Sequence, residues 1–218
     1  DTALEQALRM VEAIGGGEVV VVTVGPPAAE ETLRRALAKG AQRGVRVWDD
    51  DLADADPVAV ARMLAGVAAQ ERPDLIITGA QSGDQANGAT GTALARLLDL
   101  PHAALVVDTD WNGTDSMLVT RELEGGLRHR VRIDTPALVT MQTGANVPRY
   151  ATMRMVKLAK EKPIVELAAG IPECAFRAAS THRMFVPPAT RAQMMEGSPA
   201  EIAASVIKII REKMGAKA

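Results

Sequence analysis

Aromatic residues are scarce in this chain of 218 residues, which has two tryptophans, two phenylalanines and one tyrosine. Flavin rings and nucleobases often stack on aromatic side chains. Because so few are available here, a large planar cofactor would have to rest on aliphatic groups, on backbone or on another chain. The shortage argues against a self-sufficient flavoenzyme.

Cysteine, net charge and long apolar runs are also in short supply. The single cysteine, Cys174, cannot form an internal disulfide, which suits a reducing compartment. A net charge of −2 gives the molecule no general attraction to nucleic acid or to an anionic membrane. No apolar run approaches the roughly 20 residues that a membrane span needs. We therefore predict a soluble, cytoplasmic protein.

Strand and helix patterns alternate regularly along most of the chain. The continuous β-branched run at 18–24 is typical of a strand buried on both faces of a parallel sheet. Further strand patterns lie at 45–48, 74–78, 103–107 and 136–141, with helical patterns between them. The alternation predicts an α/β fold with a doubly wound, mostly parallel sheet. The first helical pattern, 1–14, has no strand to cover, so we expect a preceding strand that this sequence does not contain.

The second half departs from this alternation. Two strand patterns flank Glu124-Gly125-Gly126 and predict a β-hairpin. A last strand or edge is predicted at 163–167. Residues 168–193 carry no clear element, which is unusual inside a compact domain and favours an arm lying on a partner. Ser198 is expected to cap a terminal helix. We predict an α/β nucleotide-binding domain at 1–167, and an arm and helix contacting a partner subunit at 168–218.

The most informative stretch follows the strand pattern 74–78, where open α/β sheets place ligands. Small residues let backbone amides approach an anion, and the next helix presents unpaired N–H groups. The sequence therefore predicts a phosphate site here, and the alternative is a flexible surface loop. The candidate residues are Gly79, Ala80, Gln81, Ser82, Gly83, Asp84, Gln85, Ala86, Asn87, Gly88, Ala89 and Thr90. Val24, at the end of a neighbouring strand, is a further candidate.

Reaction chemistry is poorly represented. The loop lacks the lysine of a Walker motif and the G-x-G-x-x-G spacing, so nucleotide hydrolysis and ordinary dinucleotide binding are unexpected. His102, His129 and His182 are scattered, and no metal-ligand spacing occurs. Ser82 does not lie in a nucleophile elbow. We predict a binding protein without catalytic residues or a metal.

Three motifs occur in the order and spacing of one known family. The first is the loop pattern of Gly79, Gln81, Asp84, Thr90 and Gly91; the second comprises Val119, Arg121, Glu124, Gly125, Gly126, Val131, Pro136, Leu138, Val139 and Thr140; the third comprises Asn146, Pro148, Arg149, Tyr150, Ala151 and Thr152. Over nearly its whole length the chain resembles the beta subunit of electron transfer flavoproteins. His129 departs from the second motif, where the family has Glu or Gln.

The resemblance implies a heterodimer with an alpha subunit that holds most of the FAD, while the beta chain binds AMP through Val24 and the loop 79–90. Electrons would pass from a dehydrogenase to an acceptor. Details such as Pro101-His102-Ala103-Ala104 are similar to the branch serving trimethylamine dehydrogenase in methylotrophic bacteria. The resemblance also implies a dehydrogenase-docking loop at 168–176.

Two alternatives remain open at this point. Electron-bifurcating members carry a second FAD in the beta chain, but Thr90 follows the AMP-type pattern. A stand-alone, ATP-binding protein of the universal-stress type has a related sheet, but has no use for the arm and terminal helix.

Overall fold

The computed structural model describes residues 1–49, 52, 55–168, 182–188 and 194–215. Two compact units are present, residues 1–181 and residues 182–218. Six α-helices lie in the described part: α1 (Thr2–Ile14), α2 (Glu30–Lys39), α3 (Pro57–Glu71), α4 (Thr90–Leu97), α5 (Met153–Ala159) and α6 (Pro199–Met214). Eight strands lie there as well: β1 (Val20–Val24), β2 (Arg43–Trp48), β3 (Leu75–Gly79), β4 (His102–Asp110), β5 (Ser116–Glu122), β6 (Arg128–Asp134), β7 (Ala137–Met141) and β8 (Ile164–Ala168).

The predicted α/β class with a parallel-rich sheet is confirmed, but the strands form two sheets. One has three parallel strands in the order β1-β2-β8. The other has five strands in the order β3-β7-β4-β5-β6, of which β3, β7 and β4 are parallel and β5 and β6 antiparallel. The predicted hairpin is the β5–β6 pair, and Gly125 and Gly126 take positive φ angles in its turn.

Helices α1 and α3 cover both sheets from opposite faces. Alternate residues of β1 divide between the two sides: Val21 packs in the cluster containing Leu8 of α1, and Val22 in the cluster containing Met63 of α3. In β3, Ile77 likewise packs in the cluster that contains Met10 of α1, and Ile76 packs in the cluster that contains Ala61 of α3. Each helix therefore packs against both sheets.

Strands β1 and β3 are less buried than the sequence predicts. Every residue of β7, which has a partner on both sides, is buried, whereas every residue of β1 is only half-buried. Within the described residues, β1 pairs only with β2, and β3 pairs only with β7. The expected burial of β1 on both faces is thus incomplete because one of its edges is open. The expected strand ahead of α1 stays a prediction.

The C-terminal unit contains α6, which begins as predicted. The Ser198 hydroxyl accepts a hydrogen bond from the Glu201 amide, and the Glu201 carboxylate accepts one from the Ser198 amide, so the helix has a complete capping box. No residue of α6 is buried. Residues 182–188 contain neither helix nor strand. Most of the predicted arm, and nearly all of the predicted docking loop at 168–176, lie outside the described residues.

Candidate functional site

The predicted phosphate loop follows β3 and leads into α4, at the carboxyl end of the parallel strands. The Ala80 amide donates to the Met141 carbonyl of β7 over 2.9 Å, which ties the start of the loop to the sheet. The Thr78 hydroxyl at the end of β3 donates to the Gly79 carbonyl over 3.1 Å. The loop therefore leaves the sheet where open α/β folds place ligands.

A cavity of about 290 Å³ lies against this loop. Its walls are made by thirteen residues: Ala55, Pro57, Val60, Gly79, Ala80, Gln81, Ser82, Gln85, Asn87, Gly88, Ala89, Thr90 and Gly91. None of these side chains carries a charge. Backbone amides, side-chain amides and hydroxyls are therefore the polar groups that a ligand would meet.

The first turn of α4 supplies unpaired donors to this cavity. Ala89 occupies the N-cap position and makes no side-chain capping bond, and the first helical bond runs from the Ala93 amide to the Ala89 carbonyl. The amides of Thr90, Gly91 and Thr92 thus have no acceptor within the helix. These amides and the helix dipole together favour an anion at this point.

Gly91 allows α4 to approach the sheet closely. A Cβ at this position would lie 2.6 Å from the Thr78 Oγ1 atom and 2.7 Å from the Thr140 Cγ2 atom, and both distances are too short for a non-bonded contact. Thr140 is buried, and its hydroxyl accepts a hydrogen bond from the Leu105 amide over 3.1 Å. The start of α4 is therefore held directly against the ends of β3 and β7.

The middle of the loop is shaped by its own polar side chains. The Asp84 carboxylate accepts a hydrogen bond from the Gln85 amide over 2.7 Å, and the Asn87 side-chain amide donates to the Gln85 side-chain carbonyl over 3.1 Å. The Ser82 hydroxyl, followed by the backbone amides of Gln85 and Asp84 itself, lowers the pKa of the Asp84 carboxyl from its ordinary value. Ala86 and Gly88 take positive φ angles. Asp84 thus serves the turn as an ionised acceptor.

The cavity contains most of the predicted residues but not all of them. Gly83, Asp84 and Ala86 lie in the loop without lining the cavity, and Val24 packs instead in the apolar cluster beneath α3. Ala55 belongs to that cluster and also lines the cavity, whereas Val24 belongs to the cluster without lining the cavity. The site assignment therefore stays a prediction, with nine of its thirteen residues brought together around one cavity.

Sequence reasoning missed four lining residues: Ala55, Pro57, Val60 and Gly91. Gly91 was present in the recognised loop motif and could have been added from it. The other three lie at or just before the start of α3, about twenty residues upstream of the loop, and form an aliphatic wall. No local pattern marks them, because their position depends on how α3 packs beside α4.

Other ligand chemistry finds little support in the described part of the chain. No group of three or more His, Cys, Asp or Glu side chains there could hold a metal ion. A second cavity, of about 300 Å³, lies beside the β4–β5 connection, and two of its lining residues, Thr114 and Asn112, are hydrogen-bonded to each other. Among the same residues, no helix is both long and apolar enough to cross a membrane.

Comparison with known proteins identifies the family. The electron transfer flavoprotein domain matches residues 2–172. The chain is 44% identical over 225 residues to the electron transfer flavoprotein subunit beta of Methylophilus methylotrophus, an alignment covering 99% of this chain and 85% of that protein. It is 33% identical to the Bacillus subtilis subunit beta over 97% of this chain and 83% of that protein. For the Bradyrhizobium diazoefficiens subunit beta the identity is 43%, over 76% of this chain and 65% of that protein.

These matches agree with the three motifs recognised in the sequence and favour that assignment over a stress-type regulator. They also cover β1 to α5, the elements that build and support the cavity. The chain therefore belongs to the electron transfer flavoprotein family, as a beta-type subunit.

Proposed function

We propose that this chain binds one AMP in the cavity between the loop 79–90 and the start of α3. The uncapped first turn of α4 carries this proposal, because it has three amides without helical acceptors and adjoins a cavity that has no carboxylate in its wall. One phosphate suits three such donors. The close approach permitted by Gly91 keeps those amides in place.

The rest of the nucleotide would lie against the aliphatic wall of Ala55, Pro57 and Val60. Few aromatics are available in this chain, so packing on aliphatic side chains is the expected mode for the adenine ring. The side chains of Gln81, Gln85 and Asn87 offer amide groups for the sugar and base. A cavity of about 290 Å³ suits a mononucleotide better than FAD, which has more than twice as many non-hydrogen atoms.

We further propose that the chain forms a heterodimer with an electron transfer flavoprotein alpha subunit, and that the alpha subunit holds most of the FAD. Bound FAD supplies the electron chemistry, in one-electron or two-electron steps. The cavity wall of this chain has no ionisable side chain, which suits a binding and supporting role. Helix α6 has no buried residue and carries exposed apolar side chains along it, which suits a C-terminal segment that packs on a partner.

Cofactor content tests this proposal. The chain would be co-expressed with an alpha subunit from the same genome, and the purified complex would be denatured in acid to release its nucleotides. We expect about one FAD and one AMP per heterodimer. Two flavins and no AMP would favour the bifurcating type, in which the beta chain carries its own FAD. A homodimer that ignores the alpha chain would contradict the proposal as a whole.

The donor is proposed to be a bacterial cytoplasmic dehydrogenase related to trimethylamine dehydrogenase. The similarity to the Methylophilus methylotrophus subunit supports this choice. Reduction of the heterodimer's flavin by candidate dehydrogenases, followed by absorbance, tests it. We expect trimethylamine dehydrogenase with its substrate to reduce the flavin faster than an acyl-CoA dehydrogenase with its own substrate; the reverse order would contradict the donor assignment.

A further inference from the structure

The segment between β7 and α5 exposes an unusual amount of apolar surface. Three side chains within residues 147–153 are largely exposed: Val147 at 79%, Tyr150 at 95% and Met153 at 75%. Tyr150 is the only tyrosine in the chain. In a protein so poor in aromatics, a tyrosine with almost no intramolecular contact contributes little to folding.

This exposure does not come from a loose loop. The Arg149 side chain donates to the Glu5 carboxylate over 2.9 Å and to the Glu12 carboxylate over 2.5 Å, and the Arg149 amide also donates to Glu5 over 3.0 Å. The Arg9 guanidinium donates to the Val147 carbonyl over 3.1 Å. The segment is therefore held to α1 by charge-assisted hydrogen bonds on both sides of Pro148.

Asn146 adds a further attachment at the start of the segment. Its side-chain amide donates to the Thr2 carbonyl over 3.0 Å and to the Gln6 side chain over 3.2 Å. Polar and charged side chains of the segment thus form hydrogen bonds with α1, whereas its apolar side chains are exposed to solvent. A surface fixed before binding loses little conformational entropy when a partner covers it, and Tyr is among the residues that contribute most at such interfaces.

The charges around this surface restrict what can cover it. Arg154, Lys157 and Lys160 are exposed, and none of them forms an ion pair with another described residue. Two copies of the chain that met through this surface in a symmetric dimer would bring these like charges together. A different protein with an apolar patch and carboxylates at its rim fits better.

We propose that Val147, Tyr150 and Met153 form a docking surface for the alpha subunit, on the body of the molecule and separate in sequence from the C-terminal arm. This inference rests on the proposed heterodimer. The alpha subunit would present an apolar pocket for Tyr150 and acidic residues towards Arg154 and Lys157. The role of Arg149 is to position the segment, not to contact the partner.

Nitration of the single tyrosine tests the surface in the unaltered protein. The free chain and the co-purified heterodimer would be treated with tetranitromethane, and the peptide containing Tyr150 would be quantified by mass spectrometry. We expect fast nitration of the free chain and a rate at least about tenfold lower in the heterodimer. Equal rates would overturn the proposal.

Substitutions provide the second test. Tyr150→Ala and Val147→Asp should each weaken binding to the alpha subunit by about tenfold or more, a larger effect than most interface residues have when they are truncated. Leu127→Asp is the matched control, because Leu127 is an apolar residue, 66% exposed, at the turn of the β5–β6 hairpin and outside the 147–153 segment. Thermal unfolding of each free variant should match the wild type, since neither Val147 nor Tyr150 is buried.

The outcomes separate this inference from the proposed function. If the wild-type chain forms no complex with the alpha subunit, the heterodimer itself is wrong. If the wild type binds and both variants bind within twofold of it, only the docking surface is wrong. Self-association of the free chain, or binding to vesicles of anionic lipid, that is lost in Val147→Asp would assign the surface to another occupant and overturn the proposal.

Discussion

Gly91 shows how much the candidate site depends on a single atom. Its place between Thr78 and Thr140 leaves no room for a Cβ. We expect Gly91→Ala to push the start of α4 away from the sheet, to cost about 1–3 kcal/mol in the free energy of unfolding and to lower the AMP content of the heterodimer. Nucleotide release and thermal unfolding would measure both effects.

Gly66→Ala is the control for this substitution. Gly66 lies inside α3, and a Cβ there would meet no atom within 4 Å. Alanine should raise the free energy of unfolding by about 0.5–1 kcal/mol at such a position and leave AMP bound. Equal loss of AMP in both variants would show that close packing at Gly91 is not what maintains the site.

Glu5 gives the molecule an acid-sensitive contact. Burial alone would raise the pKa of the Glu5 carboxyl, but hydrogen bonds from Arg149 and Arg9 and the charge of Arg149 outweigh burial and lower this pKa to about 2. A depressed pKa in the folded state adds stability above the ordinary value near 4.5, and this stability is lost as the pH falls towards 2.

The corresponding test compares Glu5→Gln with the wild type across that pH range. The variant should be less stable by about 1–2 kcal/mol at pH 7, a value reduced for partial screening by water, and the gap should close between pH 4.5 and pH 2. Urea unfolding at fixed pH values would measure it. A gap that stays constant down to pH 2 would mean that Glu5 does not titrate as the geometry requires.

At the scale of elements, the open edges of β1 and β3 have a measurable consequence. Backbone amides and carbonyls on an unpaired edge must be satisfied by water or by another strand. β2 and β7 have strands on both sides, whereas β1 and β3 have one partner each within the described part of the chain. We therefore expect the backbone amides of β1 and β3 to be less protected from exchange with solvent than those of β2 and β7, although all four strands are rich in apolar residues.

Hydrogen exchange on this 218-residue chain should reveal that difference. Amides of β2 and β7 are expected to exchange more slowly than amides of β1 and β3, and the difference should shrink if an added strand pairs with the open edges of β1 and β3. If β1 and β3 are already protected as strongly as β2 and β7, their edges are closed in solution and the two-sheet description is wrong.

For the molecule as a whole, the C-terminal unit raises the question of what covers α6. Val206 and Ile210 are exposed and stand one helical turn apart, on the same side of the helix. We expect Val206→Asp with Ile210→Asp to weaken heterodimer assembly by about tenfold or more and to leave thermal unfolding of the residues 1–181 unit unchanged. Size-exclusion chromatography of the co-expressed subunits would show the loss.

Ala204→Asp is the matched control, because Ala204 is exposed on the other side of the same helix. It should leave assembly intact. If the control weakens assembly as strongly as the double variant, the added charge and not the loss of the apolar face is responsible. If neither has an effect, the terminal helix is not part of the interface.

Local sequence patterns determined much of this protein. The continuous β-branched and apolar runs define the strands, and Asp56 caps α3 with bonds of 2.9 Å and 2.8 Å to the amides of Val58 and Ala59, as a residue before a helical proline should. The loop after β3 could be recognised because small residues between a strand and a helix are themselves the property that admits an anion. Family membership followed from the spacing of three motifs.

The tertiary structure alone decided which distant residues share a surface. The wall formed by Ala55, Pro57 and Val60 exists because α3 packs beside α4. Arg149 reaches Glu5 across more than 140 residues, and this contact turns a short connecting segment into a fixed surface. The division into two sheets likewise depends on which strand edges meet. None of these features is encoded within one stretch of sequence, because each arises from side chains brought together only when helices and sheets pack.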